Sequence, residues 1–200
     1  ERFVPQEDER LLETVLQRYG IRRPYVLGLG TLQPRKNFPR LIEAFARLKQ
    51  QHRIPHQLVI GGGKGWLYDA IHAAVARCSL DQYVRLVGFV ADEDLPALYS
   101  AATVFAFPSL YEGFGIPVLE AMGCGTPVVT SSVSSLPEVA GDAALQVAPD
   151  DVGALANSLW RLIDDSRLRA TLRERGHRQV QKFTWQRSAE ELLQVYGDVG

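Results

Sequence analysis

Two carboxylates eight positions apart, Glu112 and Glu120, stand in the stretch LYEGFGIPVLEAMGCGTPVVTSS, residues 110 to 132. Pro117 suits the first position of a helix, because it needs no N–H there and its φ is already helical. A helix over about 117 to 122, closed by Gly123, leaves the N–H groups of Gly115, Ile116 and Val118 free around its positive end, where an anion binds. Glu112 then lies in the loop just before that position and Glu120 one turn inside. Carboxylates accept hydrogen bonds strongly, so a ligand with a central anion and hydroxyls on either side matches this layout. A nucleoside diphosphate sugar is such a ligand. Taken alone, the spacing leaves a second reading open, in which Glu120 is a surface acid favoured at a helix start and Glu112 an ordinary loop acid.

Other residues bring compatible chemistry. Arg35, Lys36 and Lys64 supply positive charge in glycine-rich stretches, and Gly61, Gly62, Gly63, Gly113 and Gly115 let backbone N–H groups approach a ligand closely. Two common phosphate signatures fail. GLGTLQ has Gly28 and Gly30 but puts Gln33 where a third small residue belongs, and no acid near position 50 is available for a ribose. GGGKGW lacks the GK[ST] ending that supplies a magnesium-binding hydroxyl. His52 and His56 have metal-like spacing, but Pro55 interrupts them and no third ligand is near, so a solvated turn is expected.

The elements that must hold these residues are legible in the apolar pattern. PYVLGLG (24–30), HQLVIGG (56–62), YVRLVGFV (83–90), TVFAFPS (103–109), TPVVTSS (126–132) and AALQVAP (143–149) are near-continuous apolar runs closed by Gly, Pro or Ser, as in strands buried on both faces. Helical periodicity lies between them: Leu41, Ile42, Phe45 and Leu48, then Ile71, Ala74, Val75 and Cys78. Alternation of this kind predicts an α/β fold, a Rossmann-like doubly wound parallel sheet of about six strands. After 150 three helices are expected, Asp151–Asp164, Ser166–Phe183 and Thr184–Tyr196, with Asp150 or Asp151, Ser166 and Thr184 as caps. The glycine-rich polar segments all follow strands, which places them on the edge where open parallel sheets bind ligands.

Composition narrows the classes. Two hundred residues, 46% of them hydrophobic, suffice for a substantial core. The 22 basic and 23 acidic residues nearly balance, which argues against a nucleic-acid partner held by bulk charge. Cys78 and Cys124 form no CxxC pair, so neither a disulfide framework nor a structural zinc site is expected, and a reducing compartment fits. No run approaches the roughly 20 apolar residues that span a bilayer, so no transmembrane segment is expected. The chain opens at Glu1 and not at Met, which suggests a piece of something longer.

Glu112 and Glu120 in EGFGIPVLE, followed by AMGCGTPVV, resemble the signature of retaining GT-B glycosyltransferases of family 4, also called group 1. GTLQPRKNFPRLIEAF, LVIGGGKG, VRLVGFVADEDLPALYSAA and FTWQRSAEELLQVY extend the resemblance in order from about residue 24 onward. It implies the C-terminal, donor-binding half of a GT-B fold, with the N-terminal half absent. It divides the chain into a linker and leading helix (1–23), a nucleotide-sugar-binding domain (24–183) and a final helix (184–200) that crosses to the absent half. It implies catalytic roles for Glu112, at the hydroxyls of the transferred sugar, and for Lys36, on the donor diphosphate. Glu120 would hold the ribose. Gly30, Phe114, Gly115, Ile116 and Val118 would line the sugar and phosphates, and Phe89 and Val90 the nucleobase. Many relatives carry an arginine where this chain has Thr31; Arg35 is the candidate replacement, with a solvated charge beside Lys36 as the equal alternative. Lys64 reads more simply as a solvated loop charge.

The activity so implied is transfer of a hexose from a nucleoside diphosphate sugar, GDP-mannose before UDP-hexoses, to a glycan or lipid-linked acceptor. No metal and no cofactor are expected, since protein groups would neutralise the leaving diphosphate. The location implied is cytoplasmic, with peripheral contact at the inner membrane face through the absent domain. A non-catalytic nucleotide-sugar binding or interaction module is the alternative. The fragment reading also predicts exposed apolar residues on the closing helix and around the loop edge.

Overall fold

The structure is a computed structural model that describes residues 2–63, 65 and 69–199. The six apolar runs form β1 (Tyr25–Leu29), β2 (Gln57–Gly61), β3 (Val84–Gly88), β4 (Val104–Phe107), β5 (Val128–Ser131) and β6 (Ala144–Val147). All pair in parallel in the order β3-β2-β1-β4-β5-β6. A chain that starts at the centre, winds to one edge and then winds to the other must place helices on both faces, because right-handed crossovers in opposite directions emerge on opposite sides.

Those helices are α1 (Glu9–Arg18), α2 (Phe38–His52), α3 (Asp69–Arg77), α4 (Leu95–Ala101), α5 (Ile116–Gly123), α6 (Leu136–Ala140), α7 (Val152–Asp164), α8 (Ser166–Val180) and α9 (Trp185–Val199). Strand alternation divides the core in two. Tyr25, Leu27, Phe105 and Phe107 face Leu12, Leu98, Val118 and Leu136 from α1, α4, α5 and α6. Val26, Val104, Ala106 and Val129 face Phe38, Phe45, Ile71 and Leu159 from α2, α3 and α7. Each such fully buried side chain contributes about 2 kcal/mol by leaving water, which is what holds two helical layers on one sheet.

Four details depart from the sequence reading or refine it. β3 is not buried on both faces. As an edge strand carrying Arg85 it has only half-buried and exposed positions, and β6, at the opposite edge, is half-buried at Leu145 and Gln146. α8 takes its cap from Asp165, whose carboxylate accepts the N–H groups of Arg167 and Leu168, so Ser166 is a first helical residue and not the cap. That helix also ends at Val180, three residues early. α1 is part of the core, with Leu12, Val15 and Leu16 buried and Asp8 capping its start. Asp151 caps α7 as expected, and the Thr184 hydroxyl accepts the N–H of Arg187 at the start of α9. No described helix is long and apolar enough to cross a membrane.

Candidate functional site

The windings diverge between β1 and β4, and the loops leaving these two strands meet at the carboxyl edge, where open parallel sheets bind ligands. Backbone bonds stitch the loops on one side of it together. Gly30 N–H donates to Gly61 O (3.0 Å), Leu32 N–H to Gly63 O (2.9 Å) and Gly62 N–H to Gly88 O (2.7 Å). Gly62, at φ 150°, permits this contact, because a Cβ there would lie 2.0 Å from the carbonyl oxygen of Gly30. Gly30 is needed for a different reason: a Cβ would meet Lys36 Cε at 2.8 Å, so its bareness lets the lysine stem cross the loop. Lys64 lies outside the described residues.

Residues 34–36 make a single 3-10 turn, and Asn37, at φ 58°, redirects the chain into α2. The Asn37 amide donates to the carbonyls of Pro108 (3.0 Å) and Pro149 (2.8 Å), fastening the β1 loop to those that follow β4 and β6. Lys36 then runs over the Phe107 ring, 4.5 Å from its centroid, and its Nζ donates to Glu112 Oε1 at 2.7 Å. Arg35 donates to the other carboxylate oxygen of Glu112 and to Tyr111 O at 2.9 Å, while Leu110 N–H returns a bond to Arg35 O at 2.8 Å. Arg35, Lys36 and Glu112, expected at separate points of a ligand, therefore form one cluster.

Two cations on one carboxylate leave the crevice with net positive charge. Burial pushes the Glu112 carboxyl up, but the hydrogen bond and charge of Lys36 and the bond from Arg35 outweigh it, and its pKa is lowered from the ordinary value. Lys36 moves the other way: burial lowers it, and the bond and charge of Glu112 only partly restore it. The segment around Glu112 is gripped from the β5 side as well. Glu112 N–H donates to the Ser134 hydroxyl (3.1 Å), and the Ser135 hydroxyl lies 3.1 Å from Glu112 O and 2.6 Å from Phe114 O, as donor to these carbonyls. Asn37, Ser134 and Ser135 escaped the sequence reading. The signal available was the cluster of small hydroxyl residues, SSVSS (131–135), which begins on the last residue of β5.

Gly115, at φ 117°, opens α5, and a Cβ there would sit 2.9 Å from Leu136 Cδ2. Val118 does not offer a free N–H. It donates to Gly115 O at 2.9 Å, because the helix tightens its first turn, and the Val118 side chain is fully buried. The amides of Gly115 and Ile116 meet no acceptor among the described residues, so the expected anion position keeps two of its three donors. Ile116 and Phe114 are exposed, and Phe114 meets Phe183 edge-on at 5.7 Å.

Glu120 occupies an environment unlike that of Glu112. Its Oε2 accepts the Tyr99 hydroxyl at 2.9 Å. Burial raises its pKa, and the Tyr99 bond and the Arg2 charge oppose that without cancelling it. One acid of the pair is thus held charged by two cations, and the other is held by a neutral phenol. Tyr99 was not singled out from the sequence, where an aromatic in a helix reads as core.

Phe89 and Val90 follow β3. Phe89 is 73% exposed and Val90 buried. Their loop is positioned from α1: Ala91 N–H donates to the Tyr19 hydroxyl (3.1 Å), which donates to Asp94 (2.8 Å), and Arg18 donates to both oxygens of Asp94 at 2.8 and 2.6 Å. The two histidines do not share a solvated turn. His52 stacks on Trp160 at 3.7 Å, whereas His56 is buried at the start of β2, where Ile54 and Leu58 enter the core. Among the described residues no three His, Cys, Asp or Glu side chains group to hold a metal.

The 3-2-1-4-5-6 parallel sheet, with its basic, glycine-bearing loops at the switch point, is Rossmann-like and matches the C-terminal half of a GT-B fold. Residues 16–179 match the family described as glycosyl transferases group 1, and the chain belongs to that family. It is 40% identical over 195 residues to the O-antigen chain mannosyltransferase B of Escherichia coli, covering 97% of this chain and 51% of that protein. The sucrose-phosphate synthase from Thermosynechococcus elongatus superposes with a TM-score of 0.82 at 32% identity, over 99% of this chain and 50% of that one. The C-terminal domain of a group 1 glycosyl transferase from Francisella tularensis superposes at 0.76 with 26% identity, over 90% and 94%. The chain thus spans about half the length of the E. coli relative.

Proposed function

We propose that this chain is the donor-binding half of a retaining glycosyltransferase that moves a hexose from a nucleoside diphosphate sugar to a glycan or lipid-linked acceptor. The observation that carries this reading is the cluster of Arg35, Lys36 and Glu112 at the switch point, beside the start of α5. Its net positive charge attracts a diphosphate, and the amides of Gly115 and Ile116 add donors at a helix end. Glu112 presents a carboxylate to sugar hydroxyls, Glu120 one to ribose hydroxyls, and the Phe89–Val90 loop a surface for the base.

In the transfer, the bond from the anomeric carbon to the diphosphate oxygen breaks, leaving positive charge on the sugar and negative charge on the phosphate. Lys36 and the α5 start stabilise that leaving charge through groups already in place, a kind of help that commonly dominates catalysis. An acceptor hydroxyl attacks on the same face as departure, which preserves configuration, and its proton passes to the departing diphosphate oxygen. Glu112, already bound by two cations, positions and polarises rather than acting as nucleophile. In this reading no metal takes part. Likeness to a mannosyltransferase supports GDP-mannose as the leading donor, with UDP-hexoses next.

The second half of the site would come from an N-terminal domain of the same protein. Trp185 is 86% exposed, and Leu192, Leu193, Val195 and Tyr196 of α9 are also exposed, as are Phe89, Leu110, Tyr111, Phe114 and Ile116 around the loop edge. This is the pattern expected of surfaces covered by another domain.

Calorimetric titration with GDP, UDP and ADP, free and sugar-linked, tests the proposal. Lys36→Ala and Glu120→Ala are expected to weaken binding by about tenfold or more each. Affinity undisturbed by both substitutions would rule out the site as drawn.

A further inference from the structure

We propose that Tyr99 is the positioning residue of Glu120, fixing the plane of that carboxylate and holding it ready to receive a vicinal diol. This rests on the reading of Glu120 as the ribose-facing acid. The Tyr99 hydroxyl donates to Oε2 of Glu120 at 2.9 Å. The phenol is itself closely packed. Its ring is buried, edge-on to Phe105 at 5.1 Å and to Phe3 at 6.0 Å, and its backbone carbonyl accepts the Thr126 hydroxyl at 2.6 Å. The carboxylate therefore adopts the position the phenol dictates.

A buried tyrosine normally finds some acceptor, so the hydrogen bond alone is compatible with simple packing. The choice of acceptor makes the difference. Glu112 is held charged by Lys36 and Arg35, whereas among the described residues the Tyr99 hydroxyl is the sole hydrogen-bond donor recorded for Glu120. A carboxylate grips two neighbouring hydroxyls best when both oxygens are acceptors, which requires the ionised form. Burial works against that form, and the phenol works for it. The other groups facing Glu120 are Arg2 of the leading segment, which favours the charge, and Asp92 after β3, which opposes it. Cys124 at the end of α5 also faces it, its thiol pushed by burial up to about 12. α6 and α8 also pack against α5 but bring no described group that shifts this carboxyl.

The test uses Tyr99→Phe, which keeps the ring and removes only the donor, with binding of GDP and 2′,3′-dideoxy-GDP measured from pH 5 to 8. The wild-type chain is expected to prefer GDP by about tenfold. In Tyr99→Phe that preference collapses towards unity, the loss of GDP affinity on acidification moves to higher pH, and dideoxy-GDP binding is unchanged. A variant that keeps the full preference and the same pH profile overturns the positioning role. If the wild-type chain shows no preference, the assignment of Glu120 to ribose fails instead. The role of Tyr99 is then decided without ligand, by following the carboxyl titration of Glu120 in ¹³C-labelled protein. A higher midpoint in Tyr99→Phe upholds it, and an unmoved midpoint overturns it.

Discussion

The ammonium of Lys36 lies 2.7 Å from Oε1 of Glu112, although the two residues leave different strands and stand 76 positions apart. Their contact crosses the point where the sheet reverses its winding, and each is the other's main electrostatic partner. Removing either changes the state of the one that remains.

Glu112→Ala leaves Lys36 buried beside Arg35 with no counter-charge. A destabilisation of about 3 kcal/mol is expected, in the range for broken buried pairs. The Glu112→Ala, Lys36→Met double variant should recover part of it. Denaturant unfolding of both variants checks this, with a shared slope needed to compare midpoints.

Glu120→Gln is expected to stabilise the protein near neutral pH by at most about 1 kcal/mol while weakening nucleotide binding. Because the folded-state pKa of Glu120 is raised, its stabilising contribution is complete below the ordinary carboxylate range and is lost as pH rises through the folded value. The gain should vanish in acid. Thermal unfolding of both proteins from pH 3.5 to 8 reads this directly.

His56 produces an opposite dependence. Burial, with the charges of Lys49 and Arg169, lowers its pKa from 6.5 to about 4, and its Nδ1 has no hydrogen-bond partner among the described residues. Stability is complete above pH 6.5 and is lost as pH falls towards 4, on the order of 2 kcal/mol. His56→Leu should flatten the curve of stability against pH across that window.

Gly62→Ala is expected to cost more than about 2 kcal/mol, because the new Cβ collides with the carbonyl oxygen of Gly30 and φ 150° is strained for any other residue. Gly63→Ala is the control, since a Cβ there meets nothing within 4 Å among the described residues. Equal stability of the two variants would contradict the close approach of the loops.

The strands were legible to within a residue or two because burial on both faces leaves continuous apolar runs. β3 misled because its run resembles the others, and its place at the edge is set by strand order, which no local pattern encodes. Asp165 and Ser166 are neighbouring residues that both cap well, and only backbone geometry chooses between them. In the site, Glu112 and Glu120 drew notice by type and spacing, which alone left them open to reading as ordinary acids, and the roles given to them and to Lys36 came from the resemblance. Their partners were not legible, since the contact of Lys36 with Glu112 and that of Glu120 with Tyr99 depend on elements meeting in space. The buried His56 was concealed by Pro55, which correctly signals a turn but not that β2 carries the next side chain inward.

The position of Lys36 and Glu112 on opposite windings has one more consequence. A segment ending at β3 would hold the ammonium without its carboxylate, and one beginning at β4 the carboxylate without its ammonium. Neither half can prepare the charged crevice ahead of the other, so a ligand that recognises the crevice also inspects the completeness of the sheet, and binds only molecules in which the two windings have closed on each other.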